Sequence, residues 1–550
     1  MVKIIPLGGM SVTKNMFMYE TDEEILLVDC GIGFPDETML GVDLLIPDTT
    51  YLENSKKRIV GMLLTHGHDD HIAGLPYILP KLPEFPMYAS RLTAAFAAQR
   101  MKEFGMNRKL TIIDDERGVR LGQFIIESIR VTHSVPDARH FFITTPEASI
   151  YHGSDFKFDL TPVDNIRPEF QKIATMGRRG VTLMLSDCLR SERFGFSPSE
   201  STLSQRLESE IRDVKGKVIF TIMSSNVHRI QQAVDAAIKF GRRVALFGRS
   251  IEENVRVAEE LGYLTLPSQA LVWKKKISHV PDDKLCLIVA GSQGQPGSAL
   301  VRAAQGEHEN IKVRPTDKII FSSDAIPGNE RAVYETIDAF SHQGAEVIYA
   351  DVEDNGELHV SGHGSQGELM LLMELVRPDY LVPIGGTYRH MVQYRKLASR
   401  MGYAQEKVFL LEEGQTIEVK GRREARIGET IPLKNIMVDG LGIGDVGKVV
   451  LRDRKQMSEE GILVVIIPVD AQTSQISGSV EIISRGLVYM KESGALLEKA
   501  KGTVASTLRE FRTPIKEWRT VKDRIKAALE KLFLQELERY PMIIPIIFRM

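Results

Sequence analysis

A chain of 550 residues is too long for one ordinary hydrophobic core, so two or three domains are expected. Its 43% hydrophobic and 26% charged residues are those of a globular protein and exclude a disordered or fibrous chain. A formal net charge of -3 excludes a globally basic nucleic-acid binder but leaves room for a local cationic groove. Cys30, Cys188 and Cys286 lie far apart without CxxC spacing, which argues against disulfides or a thiolate zinc site and fits a reducing, cytoplasmic setting. Met1 to Gly9 has no signal-peptide core, and no apolar run is long enough to cross a bilayer, so no membrane partner is expected.

Lys3 to Leu7, Met16 to Glu20 and Ile25 to Asp29 read as short strands in an antiparallel-leaning opening. Asp29 closes the third before the turn Cys30-Gly31-Ile32-Gly33, where it either orients a ligand histidine or caps the turn. The apolar run Ile59 to Leu64 then delivers Thr65-His66-Gly67-His68-Asp69-Asp70-His71 onto a strand-end loop. Three imidazoles and two carboxylates on one tight turn, in a chain with only 13 histidines, form a donor set suited to Zn²⁺ or Mn²⁺.

A helix is predicted over Arg91 to Glu103. The strand Gly122 to Val131 ends at Thr132-His133, and Ser149 to Tyr151 leads to Asp155, a carboxylate able to bridge two metals about 3.5–4 Å apart. Val181 to Leu185 leads to Ser186-Asp187. Four apolar strands therefore end in a ligand-type residue, at His66, His133, Asp155 and Asp187. His140 and His152 lie within apolar runs and read as packed neutral histidines.

From about Lys217 the texture becomes strand, small polar turn, helix, as in a parallel α/β domain. Its turns are Ser224-Ser225-Asn226-Val227-His228-Arg229, Gly248-Arg249-Ser250, Gly291-Ser292-Gln293-Gly294 and Ser322-Ser323-Asp324, whose backbone amides and hydroxyls suit phosphate oxygens. Arg229, Arg249 and Lys274-Lys275-Lys276 beside Trp273 are placed on one rim suited to a nucleic-acid strand. Glu357 to Ser361 reads as a strand turning through Gly362-His363-Gly364 into a helix, and Tyr380 to Ile384 as a strand before Gly385-Gly386. The Val438 to Gly447 stretch reads as linker. A last βαβ-like module from about Gly461, without a ligand cluster, reads as an assembly domain.

The His66-Gly67-His68-Asp69-Asp70-His71 motif resembles the HxHxDH signature of the metallo-β-lactamase superfamily. The inserted α/β segment, the Ser186-Asp187 turn and His359-Val360-Ser361-Gly362-His363 resemble its β-CASP nuclease branch. Within it, the whole chain resembles bacterial ribonuclease J, on Gly41-Val42-Asp43 through Pro47-Asp48, Ser225 to Arg229, Gly291 to Gly294, Asp439-Gly440 through Asp445 and Ile483-Ser484-Arg485-Gly486. The resemblance implies an α/β fold with an αββα metallo-β-lactamase sandwich (1–205 and 346–430), an inserted β-CASP α/β domain (206–345), a linker (431–460) and a small α+β C-terminal domain (461–550).

It further implies a two-metal phosphodiesterase, with His66, His68 and His133 on one Zn or Mn ion, Asp70 and His71 on the other, and Asp155 between them. Asp187, His363 and Asp70 would serve the chemistry. His359, Val360, Ser361, Gly362, His363, Ser225, Asn226, His228 and Arg229 would contact single-stranded RNA, with a 5′-monophosphate end preferred for 5′-to-3′ exonuclease action beside endonuclease cleavage in RNA maturation and decay. Asp48 and Asp445 belong either to a structural cation site, Ca²⁺ for example, or to ordinary turns. The C-terminal domain would build a homodimer or homotetramer.

One departure stands out. The family places a last metal-ligand histidine in a turn Pro-x-His-Gly-Glu-x-Arg, where this chain reads Pro383-Ile384-Gly385-Gly386-Thr387-Tyr388-Arg389. Water, a substrate phosphate or His390 would have to complete the second site. A weakened RNA-binding partner of an active paralogue is therefore the alternative function. A small-ester or lactone hydrolase is a third reading, disfavoured by the long inserted domain.

Overall fold

The computed structural model describes the chain except residues 327, 351–357, 422, 441, 471, 474, 488–493, 512–516 and 550. It has two compact units, Met1–Phe34 with Leu45–Ile436, and Pro35–Leu44 with Met437–Met550.

In the larger unit the strands Val2–Gly8, Met16–Glu20 and Glu24–Val28 pair antiparallel. Every residue of the second and third is buried, as expected of strands covered on both faces. Arg58–Leu64, Met87–Ala89 and Leu110–Ile112 extend the sheet in parallel, and Gln415–Lys420 joins its first strand from far along the chain. A second sheet runs in the spatial order Val119–Leu121, Phe124–Arg130, Arg139–Thr144, Ser149–His152, Leu183–Asp187 and Tyr380–Ile384. Phe17, Leu26 and Leu63 from the first sheet share one buried cluster with Phe124, Phe141 and Leu183 from the second, so the two pack face to face. These are the two central layers of the sandwich that the resemblance implies.

The inserted domain is a parallel sheet of Arg243–Phe247, Leu285–Val289, Val218–Thr221, Lys318–Phe321 and Glu346–Ile348, in that spatial order. Phe247, Leu287, Ile319 and Phe340 belong to its separate core. Helices Val227–Lys239 and Arg249–Glu260 follow the two strands predicted to lead into them.

Two stretches differ from expectation. Leu358 to Val360 form no strand but a turn entering the helix Gln366–Val376; Glu357, read as the strand's start, lies outside the described residues. The stretch read as linker contains the paired strands Ile436–Asp439 and Gly442–Ile443 and then the helix Lys448–Glu460; Leu441 lies outside the described residues. That helix buries no side chain, so it carries no apolar stripe to announce it.

In the smaller unit Ile462–Val469 pairs antiparallel with Glu481–Arg485 and parallel with Met542–Arg549. Helices Gly494–Arg509 and Trp518–Leu537 cover one face through Val504, Ile525 and Phe533 on Leu463, Val465 and Ile467. Among the described residues no helix is long and apolar enough to cross a membrane.

Candidate metal centre

Strand ends carry the site. The strand Arg58–Leu64 runs straight into Thr65 and His66, and the short helix Asp69–Ile72 starts just after His68. Arg100, from helix Arg91–Glu103, grips Asp69 through Nε (2.9 Å) and Nη2 (2.7 Å), which ties up Asp69 and leaves Asp70 to the centre. The turn after Asp29 passes so close that a Cβ on Gly31 would overlap the Asp70 carbonyl, so only glycine fits there.

His66 Nε2 and His133 Nε2 each lie 3.1 Å from His68 Nδ1, and Asp155 Oδ2 stands 3.7 Å from His66 Nε2 and 3.9 Å from His133 Nε2. Each inward nitrogen is fixed by what its opposite nitrogen does. His133 Nδ1 donates to the Gly362 carbonyl at 2.8 Å, and His66 Nδ1 lies 3.0 Å from Thr65 Oγ1. Burial and neighbouring imidazoles hold His66 and His133 well below the ordinary histidine value, and burial takes His68 down to about 3. Three neutral imidazoles with lone pairs converging beside a carboxylate fit a divalent cation.

The second donor group is Asp70, His71 and Asp155. His71 Nε2 lies 3.4 Å from Asp155 Oδ2 and 3.6 Å from Asp70 Oδ2. Its Nδ1 donates to Asp29 Oδ2 at 2.7 Å, while Asp29 also accepts from the Thr65 amide and hydroxyl, both at 2.8 Å. Asp29 thus orients His71, settling the choice between orienting carboxylate and turn cap. Burial opposes charge on His71, but Asp155, Asp70 and Asp29 outweigh it and raise it well above its ordinary value. Burial with Asp155 nearby pushes Asp70 up to about 6. Burial also opposes the charge of Asp155, yet His71 and His363 hold it well below the carboxylate range. Asn15, which sequence reasoning did not single out, is buried with its side-chain amide 3.0 Å from His71 Nε2 and 3.4 Å from Asp70 Oδ2.

Asp187 and His363 form a pair on the far side of Asp155. His363 Nδ1 lies 2.7 Å from Asp187 Oδ2 and its Nε2 3.9 Å from Asp155 Oδ2. Burial works against charge on His363, but Asp187 and Asp155 raise it to about 9. Strand Tyr380–Ile384 pairs in parallel with Leu183–Asp187, Ile384 opposite Asp187, which brings Gly385 to the same rim.

Family models match here: the metallo-beta-lactamase superfamily over residues 12–170, the ribonuclease J beta-CASP domain over 215–340, the RNA specificity domain of Zn-dependent metallo-hydrolases over 349–411 and the ribonuclease J C-terminal domain over 449–550. Ribonuclease J2 of Bacillus subtilis is 37% identical over 550 residues, covering 99% of this chain and 98% of that one. The chain belongs to the ribonuclease J family. Ribonuclease J 1 of Streptococcus pyogenes is 35% identical over 99% of this chain and 97% of its own, and ribonuclease J of Helicobacter pylori 34% over 99% and 79%. A crystal structure of a protein of unknown function from Enterococcus faecalis V583 aligns at TM-score 0.55 and 16% identity, over 76% of this chain and 99% of that chain, a likeness of fold alone. Family membership makes the chain a metal-dependent nuclease of the hydrolase class.

Set in the ribonuclease J family, the remaining predicted residues divide. Gly362 cannot carry a side chain, because a Cβ would lie 2.8 Å from the His133 ring, so the turn His359 to His363 also positions His133. Val360 is buried, Ser361 Oγ accepts from the His363 amide at 3.1 Å, and His359 Nδ1 is buried without a hydrogen-bond partner among the described residues. Ser225 is half-buried, and His228 Nε2 lies 3.4 Å from Asp164 Oδ2.

Asn226 and Arg229 require correction. Asn226 caps helix Val227–Lys239, accepting from the Arg229 amide at 3.0 Å. Arg229 is wholly buried, bonded to Glu200 Oε2 at 2.6 Å, to Ser322 Oγ at 2.8 Å and to the Leu358 carbonyl at 3.3 Å, so its charge braces the fold and is not offered to a strand. His140 and His152 are packed, as expected; burial takes both down to about 3. His390 belongs to none of the donor groups found among the described residues: it sits in the first turn of helix Tyr388–Arg400, its Nδ1 accepting from the Thr387 amide at 3.1 Å and its Nε2 facing Glu192 at 3.6 Å. Asp48 is consumed in its turn by the Thr50 amide and hydroxyl and the Lys434 amide. Asp445 packs against Gly442 in the other unit.

Proposed function

We propose that the chain cleaves single-stranded RNA, by 5′-to-3′ exonuclease action from a 5′-monophosphate end and by endonuclease action, in RNA maturation and decay in the cytoplasm. The observation that carries this reading is the sharing of Asp155 between two donor groups, with the Asp187 and His363 pair on its third side. His66, His68 and His133 would hold one Zn or Mn ion, Asp70 and His71 the other, with Asp155 between. When bound, such ions make water acidic enough to attack at neutral pH and offset charge on the phosphate.

The chain's own groups do the rest. Asp29 holds His71 in one tautomer, and the Gly362 carbonyl does the same for His133. His363, protonated beside Asp187, can hold a phosphate oxygen or pass its Nε2 proton to the departing oxygen. The turn from His359 to His363 would lie along the phosphate backbone, and the inserted domain, 206–345, would close over the strand.

Gly385 favours a second reading, a weakened RNA-binding partner of an active paralogue, because the second donor group lacks one imidazole. The two are separated by incubating 5′-monophosphorylated single-stranded RNA with purified protein and Mn²⁺ or Zn²⁺. The first reading expects its loss, abolished by His68→Ala or Asp70→Ala. RNA that is bound yet left intact, and not cut after Gly385→His, would support the second.

The C-terminal domain supports self-assembly. Strand register sets Ile483, Val464 and Ile544 in one row across the sheet face turned away from the helices, with Ile466 and Ile546 in another, and Ile483, Ile544, Ile546 and Phe548 are exposed. A homodimer or homotetramer would cover that face.

A further inference from the structure

The segment between Asp187 and the buried Glu200 is pinned from two sides. Ser191 Oγ donates to the His390 carbonyl at 2.7 Å. The first amides of helix Gln366–Val376 donate to it as well, Gln366 N to the Arg193 carbonyl at 3.0 Å and Gly367 N to the Gly195 carbonyl at 2.7 Å. Ser197 Oγ donates to the carbonyl of His363 at 2.7 Å, which ties the segment to the centre itself. Phe194 stands between the two pinned carbonyls, and the residue is 92% exposed. A phenyl ring on a mobile tail can find apolar cover, but one on a fixed backbone is held in water at a cost to the fold.

A second exposed ring lies on the segment that adjoins this one. Tyr388, 58% exposed, opens helix Tyr388–Arg400 only three residues after Gly385, whose Cβ position is 3.6 Å from Asp155 Oδ1. The two segments meet where Glu192 Oε2 lies 3.5 Å from Arg389 Nη1 and 3.6 Å from His390 Nε2. Arg193 and Arg389, each next in sequence to one of these aromatic residues, are exposed. Fixed aromatic faces with guanidinium groups next to them are the combination that receives stacked bases and the phosphates linking them.

We infer that Phe194, with Tyr388, is a stacking platform for a base of the RNA strand beside the metal centre, an inference that rests on the RNA reading above. A π-face accepts every base, so the platform adds affinity for unpaired strands without sequence preference, and a base held in a duplex cannot use it.

The test uses the full-length protein and a series of short single-stranded RNAs, each with one abasic residue at a successive position. Dissociation constants are measured without added metal, and cleavage is followed with Mn²⁺. Wild type should show a binding penalty at one abasic position. Phe194→Ala should weaken binding of intact RNA about 5- to 50-fold and erase that penalty, while Phe194→Trp restores both. Equal affinity of wild type and Phe194→Ala for intact RNA, or an unchanged abasic penalty, overturns the platform. So does a change of sedimenting mass in Phe194→Ala with RNA affinity intact, which would mark a protein contact. Wild type that binds the series as expected but cuts none of it contradicts the nuclease reading and leaves the platform standing.

Discussion

A Cβ on Gly385 would lie 3.6 Å from Asp155 Oδ1, the carboxylate common to both donor groups. The same position is 3.8 Å from Asp187 Oδ1, and among the described residues, its chain neighbours aside, nothing else lies within 4 Å of it. The resemblance to ribonuclease J puts the last ligand histidine at this position, where the space beside Asp155 and Asp187 is open and no imidazole fills it. The backbone there has φ +68°, a left-handed conformation that histidine adopts more readily than most side chains. Gly385→His should therefore fold, and should tighten the weaker metal at least about tenfold, read as a lower Mn²⁺ concentration for half-maximal RNA cleavage. An unchanged metal requirement would show that Gly385 does not face the second ion.

Asp29 lies outside the donor groups, yet its carboxylate fixes the His71 ring and the Thr65 amide together. Asp29→Ala should lower metal affinity or activity about 10- to 100-fold with the fold retained. Calorimetric metal titration beside a far-ultraviolet circular dichroism spectrum would check it.

The Glu200 and Arg229 pair gives a pH prediction away from the metals. Burial opposes the charge on Glu200, but Arg229 and Lys157 more than offset this and hold it below the carboxylate range. A depressed folded value means the pair's stabilisation is fully present above the ordinary carboxylate value and is lost as pH falls through the folded one. Glu200→Gln should cost about 3–5 kcal/mol near neutral pH, because Arg229 is left buried without its counter-charge, and should flatten the acid limb of stability. Denaturant melts from pH 3 to 7 measure both, and parallel curves for the two proteins would contradict the assignment.

The open face of the C-terminal sheet should be covered in solution. Ile544→Asp places a charge in the row of Ile483 and Val464, and should reduce the sedimenting mass toward that of one chain without unfolding it. A wild-type monomer would contradict the assembly role.

Much of the centre was legible because its residues announce themselves locally. His66, His133, Asp155 and Asp187 each end an apolar run, and the sheets bring those ends to one rim. Arg229 misled because an arginine beside a polar turn is ordinarily solvated, and only the fold reveals Glu200 beneath it. Asn15 carries no signal of its own, since asparagine after a glycine-rich turn is ordinary; pairing across the first sheet brings it to Asp70, 55 positions away. The helix Lys448–Glu460 escaped because none of its side chains is buried.

Anomalous diffraction from crystals soaked in Mn²⁺ addresses the centre most directly. We expect one strong peak enclosed by His66, His68, His133 and Asp155 and a weaker one beside Asp70, His71 and Asp155, the second strengthened in Gly385→His. Peaks elsewhere, or none at the three histidines, would contradict the account of how this chain readies water to cut RNA.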